Sequence, residues 1–158
     1  MEETPGARSQ EMFKLENQLC FALYEASRAT IDIYRPLLEG LGITYPQYLV
    51  LLILWERGMC SLKEIGTLLH LDSGTLSPLL KRLEASGLIL RRRRPADERI
   101  VDISLTENGQ ALQQRASSIP EKCYAELDLA FDDYLGLLTR LKQLSAQLHA
   151  RTSRRVAS

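Results

Sequence analysis

Two short amphipathic segments followed at once by an arginine-rich hairpin pattern restrict the fold of this chain more than any other feature. Leu62, Ile65, Leu68 and Leu69 recur at helical spacing, and Ser61 with Glu64 three residues on is a capping-box signature. His70-Leu71-Asp72 reads as a turn. The pattern predicts a second helix from Ser73 to Ser86, with Leu76, Leu79, Leu80 and Leu83 inward and Gly87 as its stop. Pro78 sits inside that helix, removes one backbone hydrogen bond and is expected to kink its first turns. Leu88–Arg94 and Arg99–Leu105 then read as strands joined by a four-residue charged tip, Pro95-Ala96-Asp97-Glu98.

Helical patterns flank this centre. The first is expected from Met12 to Tyr34, after a loose leader, and to stop at Pro36. It carries two apolar stripes: Leu15, Leu19, Ala22, Ala26, Ala29 and Ile33, and Phe13, Cys20, Tyr24, Ser27, Ile31 and Tyr34. A surface helix needs only one apolar face, so two suggest burial on two sides, against the chain's own core and against something else, for which a second copy of the chain is the economical candidate. Thr44 caps the next helix, with Pro46 near its start and Gly58 at its end. After Thr106 the chain is helical again, broken or kinked at Pro120, and the tail from Arg151 to Ser158 is basic and expected to fray.

Composition narrows the function classes. The chain has 158 residues with 20 basic and 20 acidic side chains, so it is no polycation, and nucleic-acid binding has to come from local charge. Its longest apolar run, Tyr48 to Trp55, is far short of the roughly 20 residues a membrane span needs. Met1 to Gln10 lacks a signal peptide's basic start and apolar core, so a cytoplasmic location is expected, with no membrane partner. Cys20, Cys60 and Cys123 form no CxxC or Cys/His cluster, and neither His70 nor His149 has metal partners in sequence; no metal or cofactor is expected.

Helix, turn, helix and charged hairpin is the order of a winged helix-turn-helix. The expected fold is mainly α with a small β-hairpin wing, flanked by N- and C-terminal dimerisation helices. The expected boundaries are 1–35 for leader and first helix, 44–106 for the winged region, 107–150 for the C-terminal helices and 151–158 for the tail, in one integrated domain. The second helix of the pair would enter the major groove with Gly74, Thr75, Ser77, Lys81 and Arg82 outward. Backbone N–H groups at its start favour phosphate. From Lys81 to Arg99 seven bases face three acids, an excess of four positive charges in a neutral chain. Strand alternation allows only about half of Arg91-Arg92-Arg93-Arg94 to face DNA, leaving the others to pair with acids. Asp97 at the tip reads as the orienter of Arg99 for the minor groove.

Ser61 to Leu112, through the helix pair and the motif Asp97-Glu98-Arg99 followed by a strand and Leu105-Thr106, resembles the MarR family of dimeric winged-helix regulators. Within it the chain is similar to the organic-hydroperoxide-responsive repressors. The carriers are Leu19-Cys20-Phe21-Ala22-Leu23-Tyr24, Tyr34, Thr44-Tyr45-Pro46-Gln47-Tyr48 and Asp72-Ser73-Gly74-Thr75-Leu76-Ser77-Pro78-Leu79-Leu80. The resemblance implies a homodimer on a palindromic double-stranded operator, with Cys20 as peroxide sensor and Tyr34 and Tyr45 bonding its thiolate. It also makes Cys123 a candidate resolving thiol on the partner subunit; otherwise a low-molecular-weight thiol resolves Cys20. Cys20 and Tyr34 are fourteen residues apart, about 21 Å on one helix, so they cannot touch within one chain but can meet if the helix packs antiparallel against its copy. Phe21, Tyr24 and Ile31 are expected to line an apolar pocket around Cys20. Cys60 reads as structural.

Three other functions compete. One is a regulator of the same fold released by a reversible aromatic or lipophilic ligand. Another is a thiol peroxidase, for which the chain has no CxxC and no acid–base set. The last is a purely structural helical dimer, which leaves the basic hairpin unexplained.

Overall fold

The computed structural model describes residues 11–156. The leader before Glu11 and the last two positions of the tail lie outside the described residues. The chain forms two compact units, one ending at Pro120 and one beginning at Glu121.

The first unit opens with a 3-10 turn, Leu15–Asn17, and helix α1, Leu19–Glu39. The helix expected from Met12 to Tyr34 is thus displaced at both ends. Asn17 Nδ2 donates to the Glu11 carbonyl at 2.9 Å, and the Gln18 side chain donates to the Met12 carbonyl. Side chains that satisfy nearby carbonyls compete with the helical ladder, and α1 begins only after Gln18, which is extended. Nor does Pro36 stop the helix. Its carbonyl still accepts from Gly40 N at 3.4 Å, and Leu38 beyond it is 1% exposed. Burying that leucine stabilises by about 1.5–3 kcal/mol, enough to offset one missing hydrogen bond.

Helix α2, Tyr45–Arg57, starts at Thr44 as expected, with Thr44 N donating to Gln47 Oε1 at 2.8 Å. Gly58 ends it at φ 78°. A two-residue strand that the sequence pattern does not announce, β1 (Cys60–Ser61), pairs antiparallel through Cys60 with Ile103 and Ser61 with Asp102. Helix α3, Leu62–Leu69, carries the expected capping box: Glu64 N donates to Ser61 Oγ at 3.2 Å and Ser61 N to Glu64 Oε2 at 2.7 Å. Helix α4 runs Ser73–Ala85, with Leu76, Leu79, Leu80 and Leu83 all buried. Pro78 lies inside α4 without ending it, because those four leucines anchor the helix on both sides of the lost bond.

Strands β2 (Ile89–Arg94) and β3 (Asp97–Leu105) form the hairpin, and the sheet order is β1-β3-β2. The tip is only Pro95-Ala96, because Asp97 and Glu98, expected in the loop, already belong to β3. Pairing is regular from Ile89–Leu105 to Arg93–Val101, then jumps to Arg94–Asp97. Glu98, Arg99 and Ile100 therefore bulge from β3 without a partner on β2. Helix α5, Glu107–Ala116, is tied to the hairpin root by Thr106, whose Oγ1 accepts from Gly109 N at 3.0 Å and donates to the Gly87 carbonyl at 2.6 Å. Trp55 Nε1 donates to the Gly109 carbonyl at 2.9 Å.

Of the two outcomes open at Pro120, a break or a kink, the structure has the break: α5 ends at Ala116, and Pro120 is the second residue of a new helix, α6 (Ile119–Glu126), where a missing N–H costs little. In the second unit Tyr124 organises the next turn. Its ring lies 5.1 Å from that of Tyr134 and its hydroxyl donates to the Leu129 carbonyl at 3.1 Å. Helix α7, Phe131–Val156, continues through most of the tail that was expected to fray; no glycine or proline interrupts it after Gly136. Among the described residues no helix is long and apolar enough to cross a membrane, and no cluster of acidic, His or Cys side chains is placed to hold a metal ion.

Candidate nucleic-acid interface and thiol site

The second helix of the pair, α4, carries the expected outward residues. Gly74, Thr75, Lys81 and Arg82 are exposed and Ser77 is half-buried. The start of α4 is not bare: Asp72 Oδ1 accepts from Thr75 N and Oδ2 from Thr75 Oγ1, both at 2.9 Å. These bonds hold the Asp72 carboxyl below its ordinary pKa. The N–H groups expected to await phosphate are thus partly engaged by the chain's own carboxylate.

The four arginines of β2 divide. Arg94 grips Asp102 with two bonds, Nε to Oδ2 at 3.0 Å and Nη2 to Oδ1 at 2.7 Å. The guanidinium holds the Asp102 carboxyl below its ordinary range. Arg93 Nη1 donates to the Glu98 carbonyl at 2.9 Å, and Arg91 lies 3.6 Å from Glu84 of α4. Arg92 is exposed. At the tip, Asp97 Oδ1 accepts from Arg99 N at 3.1 Å and from Arg99 Nε at 3.2 Å, while the Arg99 side chain is 93% exposed.

The sensor candidates are separated within one chain. Cys20 lies in the first turn of α1 and is exposed; no residue from Leu19 to Ala29 is buried. The apolar pocket expected around Cys20 does not close within the chain, since Tyr24 is 59% exposed. Only the second half of α1 packs into the first unit, so its opening turns meet no core there. Tyr34 and Tyr45, by contrast, are brought together, with ring centroids 5.1 Å apart, and Tyr48 lies 6.1 Å from Tyr34. Beside them a cavity of about 400 Å³ is lined by Ile31, Arg35, Leu38, Ile43 and Tyr45, among others. Cys123, the candidate resolving thiol, lies in α6 and is buried. Cys60 is buried in β1, and burial, with Glu64 nearby, pushes its thiol pKa up, as suits a structural residue.

A basic hairpin on a three-stranded sheet behind a helix-turn-helix defines a winged-helix DNA-binding protein. The MarR family model matches residues 43–101. The chain is 50% identical over 136 residues to the organic hydroperoxide resistance transcriptional regulator of Bacillus subtilis (strain 168), covering 86% of this chain and 92% of that one. Reduced AbfR bound to DNA, from Staphylococcus epidermidis, is 41% identical with a TM-score of 0.77 over 89% of this chain and 98% of that chain. A structure of disulfide-formed AbfR is 40% identical with a TM-score of 0.62, over 92% and 99% of the two chains. The chain belongs to the MarR family of DNA-binding transcriptional regulators, which are not enzymes.

Sequence reasoning missed the Arg94–Asp102 pair and the Trp55–Gly109 bond. Strand parity hints at the first, because Arg92, Arg94 and Asp102 share one face of the sheet. Nothing in the spacing of Trp55 and Gly109, 54 residues apart, signals the second.

Proposed function

We propose that this protein is a cytoplasmic homodimeric repressor that senses organic hydroperoxides through Cys20 and releases a palindromic operator when that thiol is oxidised. The observation that carries the reading is the joining of Tyr34 and Tyr45 into one phenol pair while Cys20 stands exposed at the other end of the same helix. An antiparallel partner copy of α1 would bring its Cys20 to that pair. Two phenol donors favour the thiolate, the form that attacks peroxide. The 50% identity to a regulator named for organic hydroperoxide resistance supports the trigger. The apolar residues left open on the flanking helices, Leu19, Leu135, Leu137 and Leu141, support dimerisation.

The chemistry balances with the peroxide as oxidant. The Cys20 thiolate attacks one peroxide oxygen, an S–O bond forms, the O–O bond breaks, and the leaving alkoxide takes a proton to become an alcohol. A second thiol, from Cys123 of the other copy or from a low-molecular-weight thiol, then forms a disulfide at that sulfur and water leaves. Cys123 is buried, so its segment must open first. DNA contact is assigned to Gly74, Thr75, Ser77, Lys81 and Arg82 in the major groove and to Arg99, held by Asp97, in the minor groove.

The test is release of bound DNA by cumene hydroperoxide, wild type beside Cys20→Ser. Release of the wild type alone supports the reading. Release of both removes Cys20 as sensor. The cavity beside Tyr45 favours one second reading, a regulator released reversibly by a small aromatic or lipophilic ligand. In that case Cys20→Ser leaves regulation intact.

A further inference from the structure

The bulge Glu98–Ile100 is clasped from both ends by neighbouring arginines. Arg94 pairs through its backbone with Asp97, on the tip side of the bulge. Its side chain reaches past the other end to Asp102. Arg93 holds the bulge from within, at the Glu98 carbonyl. Asp102 stands on the central strand, opposite Ser61 on one side and Arg92 on the other, and its side chain is only 14% exposed. A two-pronged pair at so sheltered a place is better fixed than a solvated one. At the apex of the bulge is Arg99, almost wholly exposed.

We propose that Asp102 and Arg94 are positioning residues for DNA binding: their ion pair fixes the bulge and thereby sets where Arg99 meets the duplex. This rests on Arg99 being a DNA contact. Asp102 touches no DNA in this account and acts only through the shape of the hairpin. Two of the four consecutive arginines, Arg93 and Arg94, serve the geometry of the wing and are not its phosphate contacts.

Charge makes the test decisive. Asp102→Asn removes one negative charge from the wing, so electrostatics alone predicts tighter DNA binding and a steeper salt dependence. The positioning role predicts the opposite sign. The full-length protein would be titrated with a duplex that the wild type selects from a random-sequence pool, with thermal melting of each variant as control. Asp102→Asn is expected to weaken binding about tenfold, with a salt slope shallower by about one, as for the loss of one phosphate or groove contact. The double variant with Arg99→Ala is expected to bind no worse than Arg99→Ala alone, since the pair has nothing left to position. Equal or tighter binding by Asp102→Asn, or losses that add in the double variant, would overturn the proposal. Wild-type binding by Arg99→Ala would remove Arg99 from the interface and the proposal with it, whereas a loss there with none in Asp102→Asn sinks the proposal alone. If Asp102→Asn fails to fold, Arg94→Lys, which keeps the charge but not the two-pronged grip, is read in its place. It is expected to lose affinity likewise, and unchanged binding would refute the clasp.

Discussion

The rings of Tyr34 and Tyr45 meet edge to face, 5.1 Å between centroids at 61°, across the turn that joins α1 to α2. One phenol comes from near the end of a helix and the other from the first residue of the next, so the turn Gly40–Thr44 sets their spacing. Replacing either with phenylalanine keeps the ring contact and deletes one hydroxyl. Oxidation of Cys20 by an organic hydroperoxide should slow about tenfold, the worth of one hydrogen bond to a charged group at about 1.5 kcal/mol. Rates followed by mass spectrometry test this; wild-type rates in both variants would discard the phenol-donor account. DNA binding by the reduced protein should not change.

Lys81 and Arg99 should fail differently. Arg99→Ala is expected to cost about 1–3 kcal/mol on the selected duplex and to relax sequence preference at the position the wing reaches. Lys81→Ala, further along α4, should weaken binding nearly equally on selected and random duplexes, with the salt slope falling by about one. Fluorescence anisotropy at several salt concentrations separates the two.

Gly109 tolerates no side chain. A Cβ there would lie 2.0 Å from the Leu88 carbonyl oxygen and 3.1 Å from the Leu105 side chain, so backbone has to move. Gly109→Ala should destabilise the fold by about 3 kcal/mol or more, beyond ordinary overpacking, because the clash is with backbone. A urea midpoint unchanged from wild type would contradict the packing described at the hairpin root.

Cys60 should be the slow thiol. Burial raises its pKa, so its thiolate is scarcer at neutral pH than that of an ordinary cysteine. Iodoacetamide at pH 7 should label Cys20 well before Cys60, as peptide mapping would reveal. Faster labelling at Cys60 would show that β1 opens readily.

Acid should weaken the wing. Asp102 has its pKa lowered by the bond from Arg94. A carboxylate depressed on folding contributes stability that is present above its unfolded value, about 3.9, and is lost as pH falls through the lower folded value. Stability should therefore drop below about pH 4, and Asp102→Asn should flatten that drop. Thermal melts from pH 3 to 6 on both proteins check it; identical profiles would mean the pair contributes nothing to folding.

Much of this architecture was legible because its signals are local. The caps at Thr44 and Ser61 and the leucine spacing of α4 each specify an element within a few residues. What escaped was non-local or too short. Two residues of β1 hold no periodicity and become a strand only because Ile103 and Asp102 lie alongside. The break between α6 and α7 falls in Leu127-Asp128-Leu129-Ala130, which has neither glycine nor proline; only Asp128, at φ 50°, marks it. Which arginines of the run pair with acids was not legible by residue, because it depends on the bulge beside Arg94 and on Glu84 of α4 lying near Arg91. Cys20, Tyr34 and Tyr45 could be named from their neighbours in sequence, yet one chain brings together only the two tyrosines.

The Asp72 carboxylate at the mouth of α4 has a consequence for selectivity. A helix that opened with bare N–H groups would welcome any phosphate on any duplex. Here the opening already holds an anion, bonded twice to Thr75. With α4 and the wing as the proposed DNA contacts, a duplex that merely drifts against the helix meets repulsion there, and only one whose base edges and backbone engage the rest of that surface recovers the loss. A regulator that must find one site among a genome of competitors gains by discouraging casual contact at the point of reading.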